Sequence, residues 1–114
     1  MKTLTIAVLA GSLFFAMAAI NPAQAAVNEV EAKKLLTDNK CTKCHSPTKT
    51  KSGPSWKKTA AKYKGKADGE KKIIENITTG PMVKLDDGTK EEHKIIKTKD
   101  PVALKNLAQW ILAH

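Results

Sequence analysis

Cys41-Thr42-Lys43-Cys44-His45 sets two thiols three positions apart and puts an imidazole directly behind the second. Thiols at that spacing can form thioethers with the two vinyl groups on one side of a porphyrin, and the adjacent imidazole can then swing beneath the ring and bind its iron. This is the C-x-x-C-H pattern that attaches a c-type haem. Attachment through two covalent bonds prevents loss of the cofactor, and neutral imidazole is a good ligand for iron. The bland alternatives are a disulfide and a redox-active C-x-x-C pair. A disulfide closing so small a loop removes little entropy from the unfolded chain, and a thioredoxin-like pair needs a βαβ pattern around it, which this sequence lacks. One covalently attached haem c, held by Cys41, Cys44 and His45, is therefore the expected cofactor.

The elements that must position this motif read as helices. Asn28-Glu29-Val30-Glu31 looks like an N-cap with an acid at N3, and Val30, Lys34, Leu35 and Leu36 follow with partial helical spacing up to the cysteine pair. Gly53-Pro54 breaks the chain. Ser55 can cap a short helix through Lys64, with Trp56, Ala60 and Tyr63 on one face and Gly65 as its stop. Asp68 can cap a third helix whose buried stripe is Ile73, Ile74 and Ile77, ending at Gly80. A polar loop of twenty residues, from Gly80 to Lys99, follows, and a loop that long in a small domain is usually functional or disordered. The last helix has Asp100 as N-cap, Pro101 at N1, and Leu104, Leu107, Ala108 and Ile111 at i, i+3, i+4 and i+7, with Trp110 on its flank. No segment alternates with period two over a useful length, so the expected class is all-α.

Positions 1–25 read as a cleaved secretory signal peptide. Lys2 supplies the basic start, Leu4 to Ile20 the apolar run, and Ala23-Gln24-Ala25 the small-x-small cleavage site. The run is short for a spanning helix and has no basic stop behind it, so no stable membrane insertion is expected after cleavage. Residues 26–114 form one domain of 89 residues, directed to the periplasm. Lys2 is the only charged residue removed, so the formal charge falls from +9 to +8. Both Phe leave with the signal, and Trp56, Tyr63 and Trp110 are the remaining aromatics. A domain this small with so thin a core needs a staple or a cofactor. A flat porphyrin would supply the missing apolar body.

With the motif, the Gly53-Pro54 turn and the terminal Leu107-Ala108-Gln109-Trp110-Ile111-Leu112 in view, residues 28–113 resemble the small bacterial class I cytochromes c. The resemblance implies a fold in which the N- and C-terminal helices cross beside the haem. It implies that the Pro54 carbonyl accepts from the far N–H of the His45 imidazole, fixing its tautomer; Trp56, close behind, is a further haem-contact candidate. Family members usually fill the sixth position of iron with a Met from the long loop. That loop offers Met82 and His93. His93 lies 17 residues before Trp110 and seven before Asp100, the register at which relatives carry their Met, and seven residues easily span the descent to the last helix. His93 is the expected distal ligand, giving His/His ligation, with Met82 as the alternative. His114 is read as solvated.

The function this implies is a soluble periplasmic one-electron carrier, a non-enzyme that shuttles electrons between larger redox proteins through a low-spin haem. The alternative is a haem-based ligand-binding, sensor or peroxidase-like protein with a displaceable distal ligand; no Arg exists in the chain to build a catalytic distal site. The charge of +8 favours transient, acidic redox-protein partners at a salt-dependent rate, with Lys43, Lys49, Lys51, Lys84, Lys94 and Lys97 as candidates for the rim of the exposed haem edge. Nucleic acid is not expected, since neither Arg nor a recognition helix is present, and the protein is expected to be a monomer.

Overall fold

The computed structural model describes residues 26–114; the expected signal segment lies outside the described residues. Helix α1 spans Glu29–Asp38, and Asn28 Oδ1 accepts from the Glu31 N–H at 3.1 Å, the expected cap. Its buried residues are Ala32 and Leu36, while Val30 is 80% exposed, so the helix faces the core one step away from the stripe that includes Val30. The chain leaves α1 through Lys40, a non-glycine residue at φ 59°, and enters a single 3-10 turn, Cys41–Lys43, that carries the cysteine pair.

Helix α2, Trp56–Tyr63, is capped by Ser55, whose hydroxyl accepts from the Lys58 N–H at 3.1 Å. Helix α3, Gly69–Thr79, buries Ile73 and Ile77 and ends at Gly80 with φ 63°. Asp68 precedes α3 but makes no side-chain cap; its carboxylate pairs with Lys72 at 3.0 Å instead. Helix α4, Pro101–Leu112, starts where Asp100 accepts from the Val102 N–H at 3.0 Å. Leu107 and Ala108 on α4 are fully buried, and α4 packs against α1, α2 and α3. Trp110 is buried rather than on the flank of the helix. The start of α1 is tied to the middle of α4 by Asn28 and Asn106: the Asn28 N–H donates to Asn106 Oδ1 at 2.7 Å, and Asn106 Nδ2 donates to the Asn28 carbonyl at 2.9 Å.

The expected twenty-residue loop contains a small antiparallel hairpin, so the domain is mainly helical rather than purely so. Strand β1, Met82–Lys84, pairs with β2, Lys90–Glu92, with Met82 opposite Glu92 and Lys84 opposite Lys90. Its burial pattern is nearly all exposed, so no alternation of apolar and polar residues announces it. Turn chemistry makes it instead: Gly88 takes φ 87°, and Asp87 Oδ1 accepts from both the Thr89 N–H and its hydroxyl. At the hairpin tip the Asp86 N–H donates to the Ser52 carbonyl at 3.0 Å, tying the hairpin to the loop after the cysteine motif.

Candidate haem site

The 3-10 turn gathers the motif. The amides of Cys44 and His45 both donate to the Cys41 carbonyl, at 3.2 and 3.1 Å, which turns the chain tightly enough to face both thiols and the imidazole into one cavity. Cys41 and Cys44 form no disulfide, and burial pushes the Cys41 thiol, before any attachment, above its ordinary range.

The segment after the motif wraps around His45. His45 pairs with Thr50 in an isolated antiparallel bridge, and the Gly53 N–H donates to the Cys44 carbonyl at 2.9 Å. Pro54 then presents its carbonyl to His45 Nδ1 at 2.6 Å. A carbonyl can only accept, so Nδ1 carries the proton and Nε2 keeps its lone pair. Burial holds the imidazole below its ordinary range, partly opposed by the Pro54 carbonyl, with His93 and Lys51 pushing it further down. The ring is therefore neutral, the form that binds metal. Trp56 stacks on it, with centroids 4.6 Å apart and planes 27° apart, and Trp110 meets Trp56 edge-on at 6.0 Å.

On the other side of the cavity stands His93, just after β2. Its N–H donates to the Pro81 carbonyl at 2.9 Å, and three residues on the Ile96 N–H donates to the Ile77 carbonyl at 2.8 Å, with Ile96 itself buried. Asn39 Oδ1 accepts from the Lys97 N–H at 3.0 Å. The descending segment is thus fastened in turn to the start of the hairpin, the end of α3 and the end of α1. The His93 ring faces His45 with centroids 6.0 Å apart and planes at 49°. Its Nδ1 is buried and has no hydrogen-bond partner. Met82 also borders the cavity but is 65% exposed.

The cavity has a volume of about 920 Å³. Leu36, Ile73, Ile77, Ile96, Leu107 and Ile111 form much of its wall. Among the described residues no cluster of three or more His, Cys, Asp or Glu could hold a bare metal ion. Two facing imidazoles in an apolar slot, with two thiols at its edge, suit a metal that brings its own equatorial ligands. Lys84 and Lys94 border the cavity as expected; Lys43, Lys49, Lys51 and Lys97 do not, and Lys40, Lys58 and Lys62 do. Lys58 and Lys62 escaped the sequence because they sit on α2, which only tertiary packing brings to the cavity, whereas Lys40 directly precedes Cys41 and was overlooked beside the motif. His114 is exposed but not freely solvated: its ring meets Trp110 at 4.3 Å, and its Nδ1 lies 3.0 Å from the Trp110 carbonyl.

Four helices around an apolar slot with a C-x-x-C-H turn at its edge define a small monohaem c-type protein. The cytochrome c family model matches residues 29–114, and the chain belongs to that family. A class 1 cytochrome, MtoD from Sideroxydans lithotrophicus ES-1, is 52% identical and superposes with a TM-score of 0.73, over 77% of this chain and 97% of that one. The wild-type cytochrome c552 of Nitrosomonas europaea is 28% identical with a TM-score of 0.54, over 70% of this chain and 95% of that one. No match is found among curated proteins. Haem c, covalently attached and carrying iron, is the cofactor of this family, and membership supports an electron-carrier role. No helix among the described residues is long and apolar enough to cross a membrane.

Proposed function

We propose that the chain is exported to the periplasm, loses residues 1–25, and works there as a soluble, monomeric one-electron carrier with His45 and His93 as the axial ligands. The bound haem supplies a reversible ferric–ferrous couple. Cys41 and Cys44 hold it by thioethers, the Pro54 carbonyl orients the His45 ring, and Trp56 braces that ring from behind. The apolar side chains of the wall would limit the water around the bound group.

The observation that carries the reading is the separation of the two imidazoles, 6.0 Å between centroids. Nitrogen bonds from a first-row metal to imidazole are about 2 Å long, and a ring nitrogen lies roughly 1 Å from its centroid given bonds of about 1.3 Å. One metal ion between the rings therefore requires about 6 Å. The main-chain bonds of His93 to Pro81 and of Ile96 to Ile77 add to this by fixing where the ring stands. Met82 is the alternative, and its exposure argues against it.

A carrier keeps six ligands in both oxidation states, whereas a ligand-binding or peroxidase-like protein vacates one. The test is addition of carbon monoxide to the ferrous protein and to its His93→Ala and Met82→Ala variants. The carrier reading expects no spectral change in the wild type and in Met82→Ala, and rapid binding in His93→Ala. Rapid binding by the wild type would return the protein to the ligand-binding class.

Acidic partners suit the charge. Lys40, Lys58, Lys62, Lys84 and Lys94 surround the cavity against a single carboxylate there, Glu91, a surface that would steer a negatively charged redox protein to the haem edge.

A further inference from the structure

The loop that passes beneath His45 carries a lysine whose head turns back onto the cysteine motif. Lys51 Nζ donates to the Thr42 carbonyl at 2.8 Å, and Thr42 lies between the two cysteines. The backbone fixes this placement. Thr50, the preceding residue, is bridged to His45, and the Lys51 N–H donates to the Gly53 carbonyl at 3.0 Å while the Gly53 N–H donates to the Cys44 carbonyl. Lys51 and His45 border the same concavity on the side of the motif away from His93, together with Glu29 and Lys33.

Glu29 and Lys33 pair with each other there, so their charges largely cancel. None of the ion pairs among the described residues includes Lys51. Its ammonium is held by a neutral carbonyl, so no carboxylate partner offsets its charge.

Propionates aside, an iron–porphyrin core with two neutral imidazoles carries one positive charge when ferric and none when ferrous. A fixed cation nearby therefore opposes the ferric form. We propose that Lys51 is a positioning residue that raises the reduction potential of the haem iron, by holding an uncompensated ammonium beside the proximal ligand through the Thr42 carbonyl. The proposal rests on His45 as proximal ligand. The couple takes up one electron from a donor or electrode and moves no proton, so Lys51 acts through its charge alone and neither gains nor loses a proton in the step. Because the head is exposed, salt screens part of the effect.

Spectroelectrochemical titration of the holoprotein tests this with Lys51→Arg, Lys51→Gln and Lys51→Glu, and with Lys105→Gln on α4 as a control for total charge. The expected result is an unchanged midpoint for Lys51→Arg, a downward shift for Lys51→Gln, and about twice that shift for Lys51→Glu, because the change in charge is doubled. The shifts should exceed that of Lys105→Gln and shrink as salt is added. Equal shifts for Gln and Glu, or shifts no larger than that of Lys105→Gln, would overturn the proposal. If Lys51 only orders the turn, Gln and Glu shift alike and the shift ignores salt. Failure of the underlying ligation looks different: His45 would then be dispensable, and His45→Ala would keep a low-spin spectrum.

Discussion

Gly53 lies so close to His45 that a Cβ built on it would stand 2.7 Å from His45 Cε1 and 3.1 Å from its Nδ1. The glycine's use here is close approach rather than an unusual backbone angle. With any side chain at this position, either the ring or the loop must move, and the ring is held by the Pro54 carbonyl. Gly53→Ala should therefore lower stability by roughly 1–3 kcal/mol, the usual range for overpacking. Chemical denaturation of the holoprotein, followed by the haem absorption, measures the loss; a change below about 0.5 kcal/mol would mean that the loop yields without strain.

Acid should weaken the fold in a defined direction. Burial, first among the causes, holds His45 below the ordinary imidazole range in the folded protein. The unfolded chain therefore binds a proton here more readily than the folded one, so stability rises with pH across this window. It is fully present above about pH 6.5, the ordinary imidazole value, and is lost as pH falls from there toward the folded value. Competition between proton and iron for both imidazoles acts in the same direction. Denaturation midpoints at neutral pH and at successively lower values should fall steadily below pH 6.5; a flat profile down to strongly acid pH would contradict this.

The cavity between α2, α3, α4 and the hairpin should make folding depend on the haem. Ile73, Ile77, Leu107 and Ile111 face a volume of about 920 Å³, and without a porphyrin these side chains have water or collapse as their alternatives. The variant with both Cys41 and Cys44 replaced by Ala should be largely unfolded at room temperature. Far-ultraviolet circular dichroism decides it, and a native helical spectrum would show that the side chains alone suffice as a core.

Electron exchange with an acidic redox protein should slow as salt is added, because the described lysines around the cavity act over a Debye length of about 10 Å at 0.1 M ionic strength. Stopped-flow rates with a partner of known negative charge test this. Lys62→Glu or Lys94→Glu should slow the reaction further at low salt, and rates indifferent to both salt and these changes would point to apolar docking.

The helices were legible because their ends are chemically marked. Asn28, Ser55 and Asp100 cap where their types predict, Gly80 stops α3, and the stripe of Leu104, Leu107, Ala108 and Ile111 is buried. The cysteine motif is local chemistry and reads directly, and the resemblance to class I cytochromes c supplied the Pro54 contact that the structure places at 2.6 Å. Asp68 misled because a carboxylate can choose a nearby Lys72 over the helix amides. The hairpin was hidden because Lys90-Glu91-Glu92 is exposed on every residue and buries nothing that would mark a strand. The identity of the other cavity lysines depends on which helix faces meet, and Lys58 and Lys62 carry no local signal of that, whereas Lys40 stands next to Cys41 and could have been read from the motif.

His93 across from His45 is the central claim, and a near-infrared absorption spectrum of the ferric protein tests it most directly. A thioether bound to ferric low-spin haem gives a weak sulfur-to-iron charge-transfer band, and imidazole has no sulfur to give one. With His93 and His45 both bound, the ferric spectrum should be low-spin and lack that band. A clear sulfur-to-iron band, lost in Met82→Ala and kept in His93→Ala, would contradict it and make Met82 the distal ligand.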